Sequence, residues 1–76
     1  MSLEEVDAAV TAEGLTLVQS SFNLTGFKGV SIKGKRWTAR LEGAYLGAFG
    51  SAAEAALAYA RELGPQGSAA AAAKVR

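Results

Sequence analysis

Residues 27–49 read FKGVSIKGKRWTARLEGAYLGAF, and this stretch decides the fold of the chain. Apolar and polar side chains alternate along it with a period of two, which is typical of half-buried β-strands. The alternation predicts three strands, over Phe27–Lys33, Arg36–Glu42 and Ala44–Phe49. A glycine stands at each of the two junctions and favours a tight turn, so we expect an antiparallel meander.

The same alternation divides the predicted sheet into two faces. The apolar face is predicted to contain Val30, Ile32, Trp37, Ala39 and Leu41. The opposite face is predicted to contain Ser31, Lys33, Arg36, Thr38, Arg40, Glu42 and, from the third strand, Tyr45. Because a meander of this size must bury its apolar face, it requires a partner element.

The predicted partner is a helix that follows the third strand directly. Residues 51–54 (SAAE) form a capping box, which predicts a helix over Ala52–Leu63, and Gly64 with Pro65 is expected to end it. The predicted packing stripe of this helix consists of Ala52, Ala56, Tyr59 and Leu63. The fold class is therefore predicted to be α+β, with a three-stranded antiparallel β-sheet packed against one C-terminal α-helix.

An additional short N-terminal helix is predicted over residues 3–13. Ser2 and Glu5 can form its capping box, and Gly14 can end it because glycine adopts the left-handed conformation easily. Residues 15–18 are then expected to be extended.

The chain divides into three segments on this interpretation. They are an N-terminal helix and extended segment over residues 1–23, a central unit over 24–64 and a tail over 65–76. A polar turn is expected over residues 20–26. The tail is predicted to be frayed helix or disordered, because it holds an alanine run without larger apolar anchors. The aromatic residues predicted to pack in the core are Phe27, Trp37, Phe49 and Tyr59.

The composition argues against catalysis. The chain has no cysteine and no histidine, which removes the usual zinc ligand sets and the commonest general base. Asp7 is the only aspartate, and the sequence shows no nucleophile–base pair and no phosphate-binding loop. We therefore expect no enzyme activity, no cofactor, no metal and no small-molecule substrate.

The net charge is only +1, but the charged residues are segregated. Every charged residue before Phe27 is acidic, and every one from Lys28 to Arg40 is basic. A concentrated basic segment gives a local positive face even to a nearly neutral chain. The acidic N-terminus is unlike a signal peptide, and no apolar run reaches membrane-spanning length. We expect a soluble, intracellular protein, nuclear if eukaryotic, with no membrane partner.

Four short motifs follow one another in the order found in the AP2/ERF DNA-binding domain. They are residues 26–30 (GFKGV), 37–41 (WTARL), 45–49 (YLGAF) and 52–59 (AAEAALAY). The family pattern runs Y/F-R-G-V, aromatic-x-A-x-I/L, W/Y-L-G-x-F and x-A-x-x-A-A-x-A-Y, so residues 24–64 resemble this domain. The chain looks more like the protist, phage or homing-endonuclease-associated members than the plant ethylene-response factors.

The resemblance implies that the sheet lies in the major groove of duplex DNA, with the helix on the far side. Lys28 stands where the family often has an arginine, and Lys35 matches a hairpin lysine that touches the phosphate backbone. Ser31 and Lys33 stand at the outward positions of the first strand, and Tyr45 stands where plant members carry a tryptophan.

The chain also departs from the plant members. Arg40 stands where they carry a glutamate, Ser31 and Glu42 replace arginines that read guanine, and the hairpin lacks their tryptophan before Gly34. The GC-rich target of the plant proteins is therefore not carried over to this chain.

The outward residues predict DNA binding without the family as well. Arg36, Thr38 and Arg40 project from the face opposite the core, where arginine can pair with guanine and threonine can meet a thymine methyl group. Lysines on the same face supply phosphate attraction. The predicted function is sequence-specific binding of double-stranded DNA, as a transcription factor or a DNA-targeting domain.

Three other interpretations of the basic segment remain open. It forms a solvated sheet face of the kind that many small domains have, or it binds an acidic protein partner as a small protein-interaction module. Non-specific or single-stranded binding is the third, and the small number of outward aromatic side chains argues against it.

Overall fold

The computed structural model of the protein describes residues 2–19 and 26–74. The elements are, in chain order, α1 (Leu3–Glu13), β1 (Val30–Lys33), β2 (Arg36–Leu41), β3 (Ala44–Phe49) and α2 (Ala52–Lys74). The strands form one antiparallel sheet in the order β1-β2-β3. This confirms the predicted α+β class, with both helices present. The polar turn expected over residues 20–26 falls outside the described residues except at Gly26.

Helix α1 begins and ends as its capping residues predict. The Glu5 backbone N–H donates to Ser2 Oγ at 3.2 Å, and the Ser2 N–H donates to Glu5 Oε1 at 3.1 Å. This bond to the Ser2 backbone lowers the pKa of the Glu5 carboxyl. Gly14 follows in the left-handed conformation, with φ 66° and ψ 28°. The cap therefore satisfies backbone groups that have no partner inside the helix.

Strand β1 is shorter than the sequence predicted. Phe27 does not belong to it but forms an isolated antiparallel bridge with Gln19. The interruption comes from Gly29, whose φ of 76° turns the chain between Phe27 and Val30. The Gly29 carbonyl still accepts a hydrogen bond from the Arg40 N–H at 2.8 Å, so the ladder continues one residue beyond the strand.

The second hairpin turn contains Glu42, which was predicted to lie on the polar face of the sheet. Glu42 and Gly43 have φ values of 50° and 86°, and Leu41 pairs with Ala44 across them. Positive φ at both central residues is the signature of a type I′ turn, whose twist matches that of the flanking strands. The prediction for Glu42 was therefore wrong, because the turn requires two residues and takes Glu42 as the first.

Strand β3 carries a β-bulge that the sequence pattern did not predict. Ala39 pairs with Gly47, but Arg40 pairs with Tyr45, so Leu46 is an extra residue without a partner on β2. Leu46 is half-buried and packs under the sheet, whereas Tyr45 is 58% exposed. The bulge thus puts Leu46 on the same buried side as Gly47, so that Tyr45 and not Leu46 faces outward opposite Arg40.

Helix α2 is buried on two sides, which explains its alanine content. One side packs under the sheet in a cluster of Val30, Ala39, Ala55 and Ala56. The other side packs against α1 in a cluster of Val6, Leu15, Leu57 and Ala60. Among the described elements α1 contacts α2 but none of the strands. Small side chains on α2 let both neighbours approach closely, and the predicted single stripe missed the side that faces α1.

The apolar face of the sheet is covered unevenly. Val30 is 2% exposed beneath α2, whereas Ile32, two residues along the same edge strand, is 54% exposed. Ile32 lies opposite Trp37 at the hairpin end of β1, and Trp37 is half-buried. Alternation placed Ile32 on the correct face, but it did not reveal that this end of β1 stays open to solvent.

Tyr59, on α2, packs closely against Gly29 in the turn that leads into β1. Its side chain is 4% exposed, and burial, assisted by the Glu42 carboxylate, raises the pKa of its hydroxyl above the usual value. A Cβ atom built at Gly29 would lie 2.5 Å from the Tyr59 ring and 2.5 Å from the Arg40 carbonyl oxygen. Only glycine fits position 29, because both the φ angle and the space exclude a side chain.

Helix α2 breaks at Gly64, where φ is 79° and ψ is 174°, and Pro65 opens a second helical segment. The first segment thus ends where predicted. The residues beyond it, for which a frayed helix or disorder was predicted, are helical to Lys74, and Ser68 is fully buried. Ser68 Oγ accepts from the Thr16 N–H at 3.1 Å and donates to the Pro65 carbonyl at 3.3 Å. Polar anchoring holds this segment, which has no large apolar side chain.

An exposed ion pair also joins the two helices. Arg61 Nη2 lies 2.6 Å from Glu13 Oε2, and Arg61 Nε donates to both carboxylate oxygens at 3.0 and 3.1 Å. The Arg61 hydrogen bonds lower the pKa of the Glu13 carboxyl. This exposed contact links the last turn of α1 to α2.

Gly29→Ala should destabilise the fold strongly. Left-handed φ costs a residue with a side chain about 1–2 kcal/mol, and the clash with Tyr59 and the Arg40 carbonyl adds about 1–3 kcal/mol. Gly34→Ala is the matched control, because Gly34 has φ 63° but a Cβ atom built there would have no neighbour within 4 Å. Urea unfolding should show a larger loss for Gly29→Ala. Equal losses would mean that the packing of Tyr59 against position 29 contributes nothing.

Ser68→Ala should release the second segment of α2. The Thr16 N–H, which is part-buried in this contact, would lose its acceptor, at a cost of about 0.5–1.5 kcal/mol. Amide hydrogen exchange should then accelerate at Thr16 but not within α1, and the substitution of exposed Ala70 by serine should change neither. Unchanged exchange at Thr16 would show that Ser68 does not hold this segment to the domain.

The Glu13–Arg61 contact should make stability depend on pH. Because the folded-state pKa of Glu13 lies below its unfolded value of 4.5, its stabilising contribution is present above pH 4.5. It disappears as the pH falls through the folded pKa. The difference in unfolding free energy between wild type and Glu13→Gln should therefore vanish in acid. Arg61→Ala, which removes the partner of Glu13, should lose the same pH-dependent contribution; a wild-type pH profile in Arg61→Ala would contradict this assignment.

Candidate nucleic-acid interface

The sheet presents one face to α2 and the opposite face, which we call the outer face, to solvent. Cross-strand pairing sets its side chains in three rows. From the first hairpin onward, the rows are Lys33 with Arg36, then Ser31 with Thr38 and Ala48, then Arg40 with Tyr45. A small-residue row therefore separates two ends that carry long cationic side chains.

Most of the residues predicted to contact DNA are brought together on this face. The exposed members are Ser31, Lys33, Arg36, Arg40 and Tyr45. Lys35 is exposed in the first hairpin turn, and Lys28 is exposed in the turn that precedes β1. These two lysines border the face and do not lie within it.

Thr38 is the predicted contact residue that the structure exposes least. It lies on the central strand and is only 7% exposed, between Ser31 and Ala48. Its hydroxyl donates to the Ser31 carbonyl at 3.4 Å. Thr38 therefore presents little surface to a ligand and forms part of the floor of the outer face. The alternation of the sequence predicted correctly that the Thr38 side chain points to the outer face. It could not predict how much of that side chain the neighbouring strands bury.

The hairpin end of the outer face concentrates positive charge. Lys33 and Arg36 are direct cross-strand partners, and Lys35 lies in the turn between them. Like charges placed directly opposite each other destabilise a sheet. Three cations within four residues therefore favour the binding of an anion in this region, because its negative charge would reduce the repulsion between them.

The other end combines a cation with an aromatic ring. Arg40 Cζ lies 5.7 Å from the centroid of the Tyr45 ring, within the range of a cation–π interaction. The bulge at Leu46 creates this pair by setting Tyr45 opposite Arg40. The sequence contained one signal of this arrangement, since Tyr45 and Leu46 are adjacent large side chains that interrupt the alternation of β3.

The cations on and beside the outer face have no ion-pair partner among residues 2–19 and 26–74. In the part of the chain that the structure describes, no ion pair involves Lys28, Lys33, Lys35, Arg36 or Arg40. The exposed acidic side chains of α1 lie on the helix that does not contact the sheet. Glu42 is close enough to Tyr59, on the buried side of the sheet, to raise the pKa of its hydroxyl. The molecule thus has a basic outer face and an acidic helix beyond α2.

The described residues offer neither a metal cluster nor a membrane-spanning helix. Among residues 2–19 and 26–74, no group of three or more acidic, histidine or cysteine side chains is placed to hold a metal ion. Within the same ranges, neither helix has the length and apolar character needed to cross a bilayer.

No protein-family model, no curated protein and no solved structure matches the chain. Its function is therefore inferred from the residues of the outer face and from their arrangement.

Proposed function

We propose that this chain is a module that binds double-stranded DNA sequence-specifically, with the outer face of its sheet in the major groove. The observation that carries the proposal is the exposed cationic character of this face, whose cations form no ion pair with any residue that the structure describes. Lys33, Arg36 and Arg40 project from it, and no acidic side chain occupies its three rows. The paired strands, backed by α2, set the spacing of these groups.

The dimensions of the sheet suit this groove. Neighbouring strands lie about 4.8 Å apart, so three strands span about 10 Å between their outer axes, and the major groove is about 12 Å wide. The six residues of β2 extend over about 20 Å at 3.3 Å per residue. With one base pair per about 3.4 Å of helix axis, the face can cover about six base pairs.

The cations divide by chemistry into two roles. Lysine acts as a point charge that attracts phosphate, whereas the planar fork of arginine can pair with the O6 and N7 atoms of guanine. Lys28 and Lys35 border the face, where the phosphate backbones would flank the sheet. The acidic helix α1 lies beyond α2, so the charge distribution favours approach through the outer face.

The proposal extends to the family and to the biological role. An antiparallel three-stranded sheet backed by a helix is the arrangement that the AP2/ERF resemblance of residues 24–64 implies. Membership of this family, and a role as a transcription factor or a DNA-targeting domain, are therefore part of the proposal.

Selection from a randomised duplex pool tests the proposed activity. Wild type should enrich a motif of no more than about six base pairs. The logarithm of its affinity should fall linearly with the logarithm of salt concentration, because phosphate contacts release counterions. No enrichment at low salt, together with salt-insensitive binding to an acidic protein surface, would favour the alternative of a protein-interaction module.

One substitution at the border of the outer face and one within it should separate phosphate binding from base recognition. Lys35→Ala should weaken binding to all duplexes similarly and reduce the salt slope by about 1. Arg40→Ala should weaken binding to the selected motif by about 1–3 kcal/mol and relax the preference at one base pair. Arg61→Ala, on α2, is the control and should change neither quantity. Unchanged DNA binding in both face variants would refute the assignment of the outer face.

A further inference from the structure

We propose that base reading on the outer face is concentrated at one end, where Arg40 reads guanine and Tyr45 is its positioning residue, whereas Arg36 binds phosphate. This inference rests on the proposed DNA binding and assigns different tasks to two arginines on the same strand. It follows from the unequal surroundings of the two guanidinium groups.

The Arg40 guanidinium has a neighbour that restricts its orientation. Tyr45 is its direct cross-strand partner, and the ring centroid lies 5.7 Å from Arg40 Cζ. Tyr45 is itself 58% exposed, so the pair stands on the open surface. Stacking on an aromatic face leaves the N–H groups of arginine free to donate in the plane of the fork. A fork that is oriented before binding loses less conformational entropy when it pairs with a base.

The position of Tyr45 is itself fixed by the core. The bulge sends Leu46 under the sheet, where it packs beside the cluster that contains Val30 and Ala39. Because Leu46 is anchored in this way, the preceding residue is held on the outer face opposite Arg40. The aromatic neighbour of Arg40 is therefore a product of the fold and not of a flexible surface loop.

Arg36 lacks such a neighbour in the part of the chain that the structure describes. It stacks on no aromatic ring and pairs with no carboxylate there, and its cross-strand partner is Lys33. Lys35 adds a third positive charge beside them. A dense group of cations attracts a phosphate strongly, but it gives no fixed direction to the guanidinium fork.

The two arginines lie about 13 Å apart along β2, from four residues at 3.3 Å each. Anchoring and reading therefore occur at sites separated by about four base pairs. The recognised motif should accordingly be asymmetric, with its strongest guanine preference at the Arg40 end.

Matched arginine-to-lysine substitutions test this division, because lysine keeps the charge and loses the fork. Arg36→Lys should bind the selected duplex within about twofold of wild type, since a point charge suffices for phosphate. Arg40→Lys should lose about 5- to 150-fold on that duplex and much less on unrelated duplexes. Both side chains are exposed, and thermal unfolding should confirm that the two variants fold like wild type.

Tyr45 variants and a modified base test the positioning role. Tyr45→Leu should weaken binding to the selected duplex by about 3- to 30-fold. Tyr45→Phe, which keeps the ring, should retain most of the wild-type affinity. Replacement of the preferred guanine by 7-deazaguanine removes the N7 acceptor. Wild type should bind the modified duplex more weakly than the unmodified one. The loss should be smaller for Arg40→Lys, which has no guanidinium fork, and for Tyr45→Leu, in which the Arg40 fork is misplaced.

The possible outcomes separate the two proposals. If wild type selects a motif but Arg36→Lys alters a base preference as strongly as Arg40→Lys, the division is wrong and DNA binding stands. If Tyr45→Leu weakens all duplexes equally and remains sensitive to 7-deazaguanine, Tyr45 contacts the backbone and does not position Arg40. If wild type selects no motif, DNA reading by this face fails, and the inference fails with it.

Discussion

The burial of α2 on two sides is the constraint on which the rest of the structure depends. Ala55 and Ala56 bring it close under the sheet, and Leu57 with Ala60 joins it to α1. A domain of 76 residues has little apolar surface to bury, so one helix that serves two neighbours makes efficient use of it. Since α2 covers one face of the sheet, the opposite face remains free to carry charge.

The same packing supports the outer face from the buried side. Gly29 lets the Tyr59 ring pack directly against the backbone that leads into β1, and the Gly29 carbonyl bonds to the Arg40 N–H. Position 40, which carries the proposed base-reading side chain, is thus held by a backbone hydrogen bond and a cross-strand ring. Fixed geometry of this kind is what recognition of base edges requires, because pairing with guanine depends on direction as well as charge.

Periodicity predicted most of the fold because each element of this chain has a strong local signal. The capping serines Ser2 and Ser51 predicted the helix starts correctly, since both hydroxyls accept from the backbone N–H of the third residue of their helix. Features that depend on distant contacts were not predictable. The docking of Ser68 to Thr16 joins residues 52 positions apart, and no local pattern indicates it.

Among the predicted contact residues, too, local features were predictable and features that depend on neighbouring strands were not. Alternation identified the outward direction of Arg36, Thr38 and Arg40, which is a local property of a strand. Exposure of Thr38 depends on the side chains of both neighbouring strands, and the Arg40–Tyr45 pair depends on the bulge. A single extra residue in β3 changed which side chains face each other, and only the three-dimensional register reveals it.

The most direct test of the central claim is nuclear magnetic resonance of the labelled protein during titration with a duplex. If the outer face lies in the major groove, the backbone signals of β1, β2 and β3 and the side-chain signals of Arg36 and Arg40 should shift. The signals of α1, on the far side of α2, should stay in place. Shifts confined to α1 or to the exposed side of α2, with the strands unaffected, would contradict the account and place any DNA contact on another surface.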